Sequence, residues 1–259
     1  MAGVVVVSRN EREQAILQHL GTSRYATVAE LSAVLGVSEV TVRRYLDRLE
    51  NEGLVTRTHG GALLTSSLME EPEIAAKEAL QAEEKRRIAE AAASMIGDGD
   101  AIALNAGTTT AAIARLLRNR NGLTVVTNSM SVVNALATCP GIRLVVTGGQ
   151  LRERSLALVG PLAVRSLEGV YVNKVFLGVN GLSLKYGLTT PNMDEATVNQ
   201  AMLQSARMAI VVVDHTKFGK VTFSRIATVQ DIDVVITDDK APAKDVERLR
   251  SMGKEVIVV

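Results

Sequence analysis

Apolar residues fall along this chain in two rhythms. Up to about residue 64 they recur at helical spacing: Ile16, Leu17 and Leu20 within Glu11 to Leu20, then Val28, Leu31 and Leu35, then Val42, Leu46 and Leu49. Thr27 is placed to cap the second helix, Gly36-Val37 to turn the chain, and Ser38 to cap the third. Gly53 to Leu64 then alternates, breaks at His59-Gly60-Gly61 and resumes, which is the pattern of a hairpin. Beyond about residue 80, short β-branched runs alternate with helical segments. Strands are expected at Ala101–Leu104, Leu123–Thr127, Arg143–Thr147, Val175–Val179, Ala209–Val213, Val234–Thr237 and Val256–Val259. Helices are expected at Thr110–Leu117, Met130–Ala137, Glu195–Ala206 and Ala243–Ser251. That alternation predicts an α/β domain with a mainly parallel sheet and crossover helices. Between the rhythms lies "TSSLMEEPE", Thr65 to Glu73, polar, acidic and proline-containing. The chain therefore divides into a small domain at 9–64, a linker at 65–79 and a larger domain at 80–259.

On a 3.6-residue wheel the third helix turns Val42, Leu46 and Leu49 inward and Val40, Arg44 and Arg48 outward, with Thr41 and Arg43 nearer the edge. Two helices joined by a short glycine turn, the second capped and arginine-bearing, with a hairpin after it, describe a winged helix-turn-helix. Arginine reaches guanine O6 and N7 or a phosphate, Ser38 and Thr41 donate to either, and an outward Val40 meets a thymine methyl. Arg57 and His59 on the hairpin would lie along the phosphate backbone or in a minor groove. A three-helix bundle used for protein contacts has much the same pattern. The first 64 residues balance their basic and acidic side chains, and Arg43 stands four residues before Asp47, the spacing of a helical ion pair.

In a parallel sheet, ligands sit beyond the carboxyl ends of the strands. Here those ends are polar or glycine throughout: Asn105 with Gly107, Thr108, Thr109 and Thr110; Asn128-Ser129; Gly148-Gly149; Asn180-Gly181; and Asp214-His215-Thr216-Lys217. Glycine lets backbone approach an anion, helix-start N–H groups and threonine hydroxyls donate to it, and Asn or Asp fixes sugar hydroxyls. Any one of these ends reads equally well as a turn with a helix cap. Together they predict one polar pocket suited to a small phosphorylated polyol, with Lys217 and Arg152 as its cations.

Composition narrows the field. A net charge of +1 gives no bulk attraction to nucleic acid or membrane, so any DNA contact rests on a few placed arginines. Aromatics at 3% and no tryptophan argue against base stacking on single strands. Cys139 is the one cysteine, and the run Val4 to Val7 has neither the length nor the flanks of a signal peptide. No apolar run approaches the roughly 20 residues of a membrane span. These features point to a cytoplasmic, reducing setting, with no cofactor and no metal expected.

The run "LGVSEVTVRRYLDRLENEGLVTRTHGGALL" resembles the N-terminal domain of the DeoR family of bacterial transcription regulators. The runs "NAGTTT", "VVTNS", "TGGQLRERSLALVGP", "VFLGVNGLSLKYGLTTPNMDEATVNQAM" and "DHTKFG" are similar to that family's C-terminal domain. The resemblance implies binding of operator DNA and release when a phosphorylated sugar occupies a C-terminal domain similar in fold to ribose-5-phosphate isomerase. It places effector contacts at Asn105, Gly107 to Thr110, Asn128, Gly148-Gly149, Asn180, Asp194-Glu195 and Lys217, with Ser129 and Arg152 beside them. A homo-oligomer reading paired half-sites is expected. Three positions depart from the family pattern: Tyr45 stands where Asp is common, Asn105-Ala106 where Asp-Ser is common, and Asn199-Gln200 where a basic pair is frequent. "MDEATVN" and "GKEVIVV" look most like the amino-sugar branch.

The rival reading is a sugar-phosphate isomerase fused to a DNA-binding domain. Isomerisation needs a carboxylate base and donors for the enediolate oxygen. Where the isomerases carry Asp-Gly-Ala-Asp-Glu, this chain reads Gly178-Val179-Asn180-Gly181-Leu182-Ser183. Asp194 and Glu195 remain, and both also suit the first turn of a helix.

Overall fold

A computed structural model describes residues 9–23, 25–58, 60–65 and 71–259. The N-terminal part consists of α1 (Arg9–Ser23), β1 (Tyr25–Thr27), α2 (Val28–Leu35), α3 (Glu39–Asn51), β2 (Val55–Thr58) and β3 (Gly61–Leu64). Thr27 caps α2 in a capping box: its hydroxyl accepts from Glu30 N at 3.2 Å while Glu30 Oε2 accepts from Thr27 N at 2.7 Å. Gly36 ends α2 in the left-handed region at φ 62, and Ser38 caps α3 by accepting from Thr41 N at 3.3 Å. Both features follow from the residue types the turn requires. The hairpin β2–β3 gains a third strand, β1, paired to β3. This strand is too short to leave a period of its own in the sequence.

Val42, Leu46 and Leu49 of α3 pack on Ile16, Leu20 and Leu31, as their spacing predicts. Tyr45 joins them at 7% exposure, so the departure at this position alters the core and not the outward face. The expected Arg43–Asp47 pair does not form. Arg43 turns back to Glu39 at 3.2 Å, and Asp47 is taken by Arg57 from the hairpin.

After α4 (Ile74–Ala79) the chain enters the larger domain with α5 (Ala82–Ser94). It runs through β4 (Ala101–Leu104), α6 (Thr108–Leu116), β5 (Leu123–Thr127), α7 (Met130–Leu136), β6 (Ile142–Val146), the hairpin β7 (Gln150–Arg152) and β8 (Ala157–Val159), and α8 (Pro161–Arg165). It continues through β9 (Val172–Gly178), β10 (Gly181–Ser183), β11 (Gly187–Thr190), α9 (Met193–Gln204), β12 (Ala206–Val212), β13 (Ser224–Ala227), β14 (Val234–Thr237), α10 (Ala243–Ser251) and β15 (Glu255–Val258). Seven strands form one sheet in the order β15-β14-β12-β9-β4-β5-β6, every neighbouring pair parallel. The expected α/β architecture is borne out.

Strand alternation sorts apolar side chains to two faces. Ile102, Leu104, Phe176, Ile210 and Ile236 meet α5, α6 and α7. Ala103, Val175, Leu177, Val211 and Val235 meet α8, α9 and α10. The winding reverses between β4 and β9, because the chain builds outward through β5 and β6 before crossing back to β9 and then β12.

A small sheet, β10-β11-β13, carries the larger domain to the winged one. Tyr186, in the β10–β11 turn, and Phe223 are buried in the same apolar cluster as Ile16, Leu46 and Leu49. The Tyr186 hydroxyl donates to Glu52, with Glu13 Oε2 at 3.4 Å. Lys185 Nζ lies 2.6 Å from Glu52 Oε1 and 3.2 Å from Glu13 Oε2, and Arg48 Nη1 of α3 lies 3.7 Å from Glu13 Oε1. Burial, then the Glu52 and Glu13 carboxylates, push the Tyr186 phenol up from its ordinary range. Among the described residues no helix is long and apolar enough to cross a membrane.

Candidate functional site

Two sites emerge. The first is the outward face of α3. Ser38, Val40 and Arg44 are exposed and Thr41 half-buried, with Val40 at 69% exposure on the outward face as its position on the helix predicts. Among the described residues Arg44 makes no ion pair, while Arg43, Arg48 and Arg57 each lie beside a carboxylate. The Arg43–Glu39 pair is open to solvent and holds its arginine weakly. Arg57 also fixes the hairpin to α3, its backbone N–H donating to Glu50 Oε1 at 3.0 Å. His59 lies outside the described residues.

The second site is a cavity of about 1150 Å³ at the carboxyl ends of β4, β9 and β12, where the winding reverses. Of the residues expected from the sequence, Gly107, Thr108, Thr109, Arg152, Asn180, Glu195 and Lys217 line it. Gly107 begins α6 without any side-chain cap, so the first-turn N–H groups of the helix face the cavity unoccupied by protein. Lys217 Nζ stands 2.8 Å from Thr216 Oγ1 and 3.4 Å from Asp214 Oδ2. Burial alone would raise the Asp214 carboxyl, but hydrogen bonds from Thr216 and the Lys217 charge hold it below its ordinary range.

Glu195 does not cap its helix. Asn192 does, accepting from Glu195 N at 3.0 Å, and the Glu195 carboxylate enters the cavity. It receives Arg152 Nη1 at 2.9 Å, Thr190 Oγ1 at 3.1 Å and the Ser155 hydroxyl. Three fixed donors thus hold this carboxylate in one orientation at the cavity wall.

The other expected residues stand away from the cavity wall. Asn105 clamps β4 to β9, its Nδ2 donating to Gly178 O at 2.9 Å and its Oδ1 accepting from Gly178 N at 2.9 Å. Thr110 Oγ1 donates to Asn105 O at 2.7 Å. Asn128 ties Ala106 N, at 3.1 Å, to Leu158 O, also at 3.1 Å, and Ser129 caps α7. Gly148 and Gly149 turn the chain into β7; at Gly149 a side chain would strike Val159 O. Asp194 is exposed. These residues hold the loops that the lining residues occupy.

Several lining residues left no mark in the sequence. Lys85 is buried at 6% exposure, donating to Lys77 O and Leu80 O, each at 2.5 Å. Burial pushes its ammonium below the ordinary lysine range, against the pull of Asp214. Glu71, Lys77, Arg154 and Thr222 come from segments without strand or helix periodicity that marks them. The Thr222 hydroxyl is buried at the cavity with no hydrogen-bond partner among the described residues, so a donor or acceptor is wanted there.

Two family models match the chain: a DeoR-like helix-turn-helix domain over residues 12–68 and a DeoR C terminal sensor domain over residues 80–239. A putative aga operon transcriptional repressor of Escherichia coli O157:H7 is 40% identical over 256 residues, covering 98% of this chain and 95% of that protein. The HTH-type transcriptional regulator GlpR of Haloferax volcanii is 37% identical over 247 residues, covering 95% of this chain and 96% of that one. Among solved structures, ribose 5-phosphate isomerase A of Methanocaldococcus jannaschii aligns with 52% of this chain and 53% of its own, at 21% identity and a TM-score of 0.39. A likeness that loose carries no functional weight.

Proposed function

Because the chain belongs to the DeoR family of transcriptional regulators, we propose that it is a repressor that holds operator DNA with α3 and its hairpin and releases it when a phosphorylated sugar fills the cavity. It is a regulator and not an enzyme, as its relatives are. The observation that supports the sugar-phosphate reading is the cavity itself. An uncapped helix N-terminus and Lys217 suit a phosphate, and Asn180, Thr222 and the Arg152–Glu195 pair suit hydroxyls or an amine. The polar loop Gly178-Val179-Asn180-Gly181 offers no carboxylate to act as a base.

A ligand loosens DNA only by binding the released conformation more tightly. A coupling of roughly 1–3 kcal/mol corresponds to a 5–150-fold change in operator affinity. One winged domain makes few base contacts, so the operator-bound form is a homo-oligomer on paired half-sites.

The test is a thermal-shift screen of the full chain against sugar and amino-sugar phosphates, followed by operator binding with two variants. Arg44→Ala weakens operator binding by about 1–3 kcal/mol and leaves the ligand shift intact. Lys217→Ala leaves operator binding intact and removes the shift. A Lys217→Ala protein that still releases DNA normally, or an Arg44→Ala protein that binds as wild type, sinks that half of the reading.

A further inference from the structure

The cavity has a wall that does not belong to the strand ends. Residues 71–80, the stretch that follows the winged domain, lie across it and meet it with charge. Glu71 is 4% exposed; its Oε2 lies 2.5 Å from Arg152 Nη1 and its Oε1 accepts from Lys77 Nζ at 2.7 Å. Arg154 grips the backbone on both sides, donating from Nη1 to Glu71 O at 2.7 Å and accepting from Ile74 N at 3.0 Å. At the other end Lys85 closes on Lys77 O and Leu80 O.

One guanidinium thus faces two carboxylates, Glu71 and Glu195. Glu195 is already satisfied by Ser155 and Thr190, and it sits on a helix of the domain core. Glu71 sits on a short segment of the chain held by the contacts just described and by the exposed Glu78–Arg115 pair to α6. A buried carboxylate depends on its cations, and any ligand group that takes Arg152 leaves Glu71 with Lys77 alone, a residue of the same segment.

We propose that residues 71–80 form an internal strap across the sensor cavity, with Glu71 a resident carboxylate that a phosphorylated sugar must displace from Arg152. The inference rests on the sugar-phosphate reading of the cavity. It supplies the missing connection: the strap leads directly back to the winged domain, so displacing Glu71 frees the tether of the DNA-binding unit. Resident and incoming groups compete, and apparent effector affinity is reduced by the fraction of molecules with the strap closed.

The experiment is amide hydrogen exchange on the full chain in phosphate-free buffer, comparing wild type with Glu71→Gln, Arg152→Gln and the double variant. Without ligand, the amides of 73–80 exchange at least tenfold faster in each single variant, and the double variant is no faster than the faster single one, since both break the Glu71–Arg152 contact that holds the strap. The sheet amides of β4 and β5 stay protected, which separates an open strap from unfolding. Should Glu71→Gln unfold, Glu71→Asp, which keeps the charge and shortens the reach, gives the smaller acceleration. Unchanged exchange at 73–80 in the single variants, or additive effects in the double one, overturns the strap.

The ligand arm uses inorganic phosphate and 6-phosphogluconate, the second carrying an anion at each end. Both protect 107–110, and only 6-phosphogluconate accelerates 73–80 in wild type. Protection of 107–110 by 6-phosphogluconate with no acceleration at 73–80 overturns the strap. Failure of either probe to protect 107–110 counts against the phosphate seat, while the ligand-free comparison still decides the strap.

Discussion

Asn105 joins three elements. Besides clamping β4 to β9 through Gly178, its Nδ2 donates to Asn199 Oδ1 of α9 at 3.2 Å, and both side chains are buried. The two departures from the family pattern, Asn where Asp is common and Asn where a basic residue is frequent, therefore face each other. The contact between them is neutral, which avoids the cost of desolvating two ions in the core. Asn105→Asp alone sets a carboxylate against the Asn199 and Gly178 carbonyl oxygens and should cost roughly 1–3 kcal/mol in urea denaturation. Adding Asn199→Lys should recover much of that loss; a double variant as unstable as Asn105→Asp would break the proposed partnership. Residue types at the strand ends were legible in the sequence as polar and clustered. Which of them face the cavity and which brace the loops was not, because that depends on how each loop and helix start is set on the sheet: in the first turn of α6 Thr109 reaches the cavity while Thr110, its neighbour, turns back to Asn105 O.

At the scale of elements, strong local signals were read well and weak ones were missed. Thr27 with Glu30, Gly36 and Ser38 specify the ends of α2 and α3 by backbone chemistry alone, and the structure follows them. The strands of the main sheet announce themselves as short, mostly apolar runs rich in β-branched residues. Three-residue strands such as β1, β7 and β10 hold too few positions for a period of two to show. The contact that gives the 71–79 stretch its character is with Arg152 and Arg154, far along the chain, and no local pattern encodes it. Because α2 has only eight residues, its start matters disproportionately. Thr27→Ala removes the hydroxyl that accepts from Glu30 N, while the backbone N–H that donates to Glu30 Oε2 stays, and should cost about 1 kcal/mol. A shift in urea midpoint near zero would mean that β1 pairing, and not the cap, fixes this helix.

For the whole molecule the telling feature is the joint around Tyr186. Removing its hydroxyl with Tyr186→Phe keeps the ring in the winged-domain core but strips a donor from Glu52 and from beside the buried Glu13, at about 1 kcal/mol near neutral pH. The pH dependence has a definite sign. A phenol whose folded pKa is raised contributes stability that is complete below its ordinary value of 10.0 and is lost as pH rises above it. The gap between wild type and Tyr186→Phe should therefore close in urea titrations above that value; a constant gap would mean the hydroxyl is not what binds the two halves. Phe223 adds a further twist, since Lys220, Val221 and Thr222 line the cavity and the next side chain is buried among α1 and α3. The DNA-reading unit thus completes its interior with side chains donated by the sensing unit. Grafting this winged domain onto a partner domain without Tyr186 and Phe223 would leave a hole in its core, so the two domains are not interchangeable parts but halves of one interior.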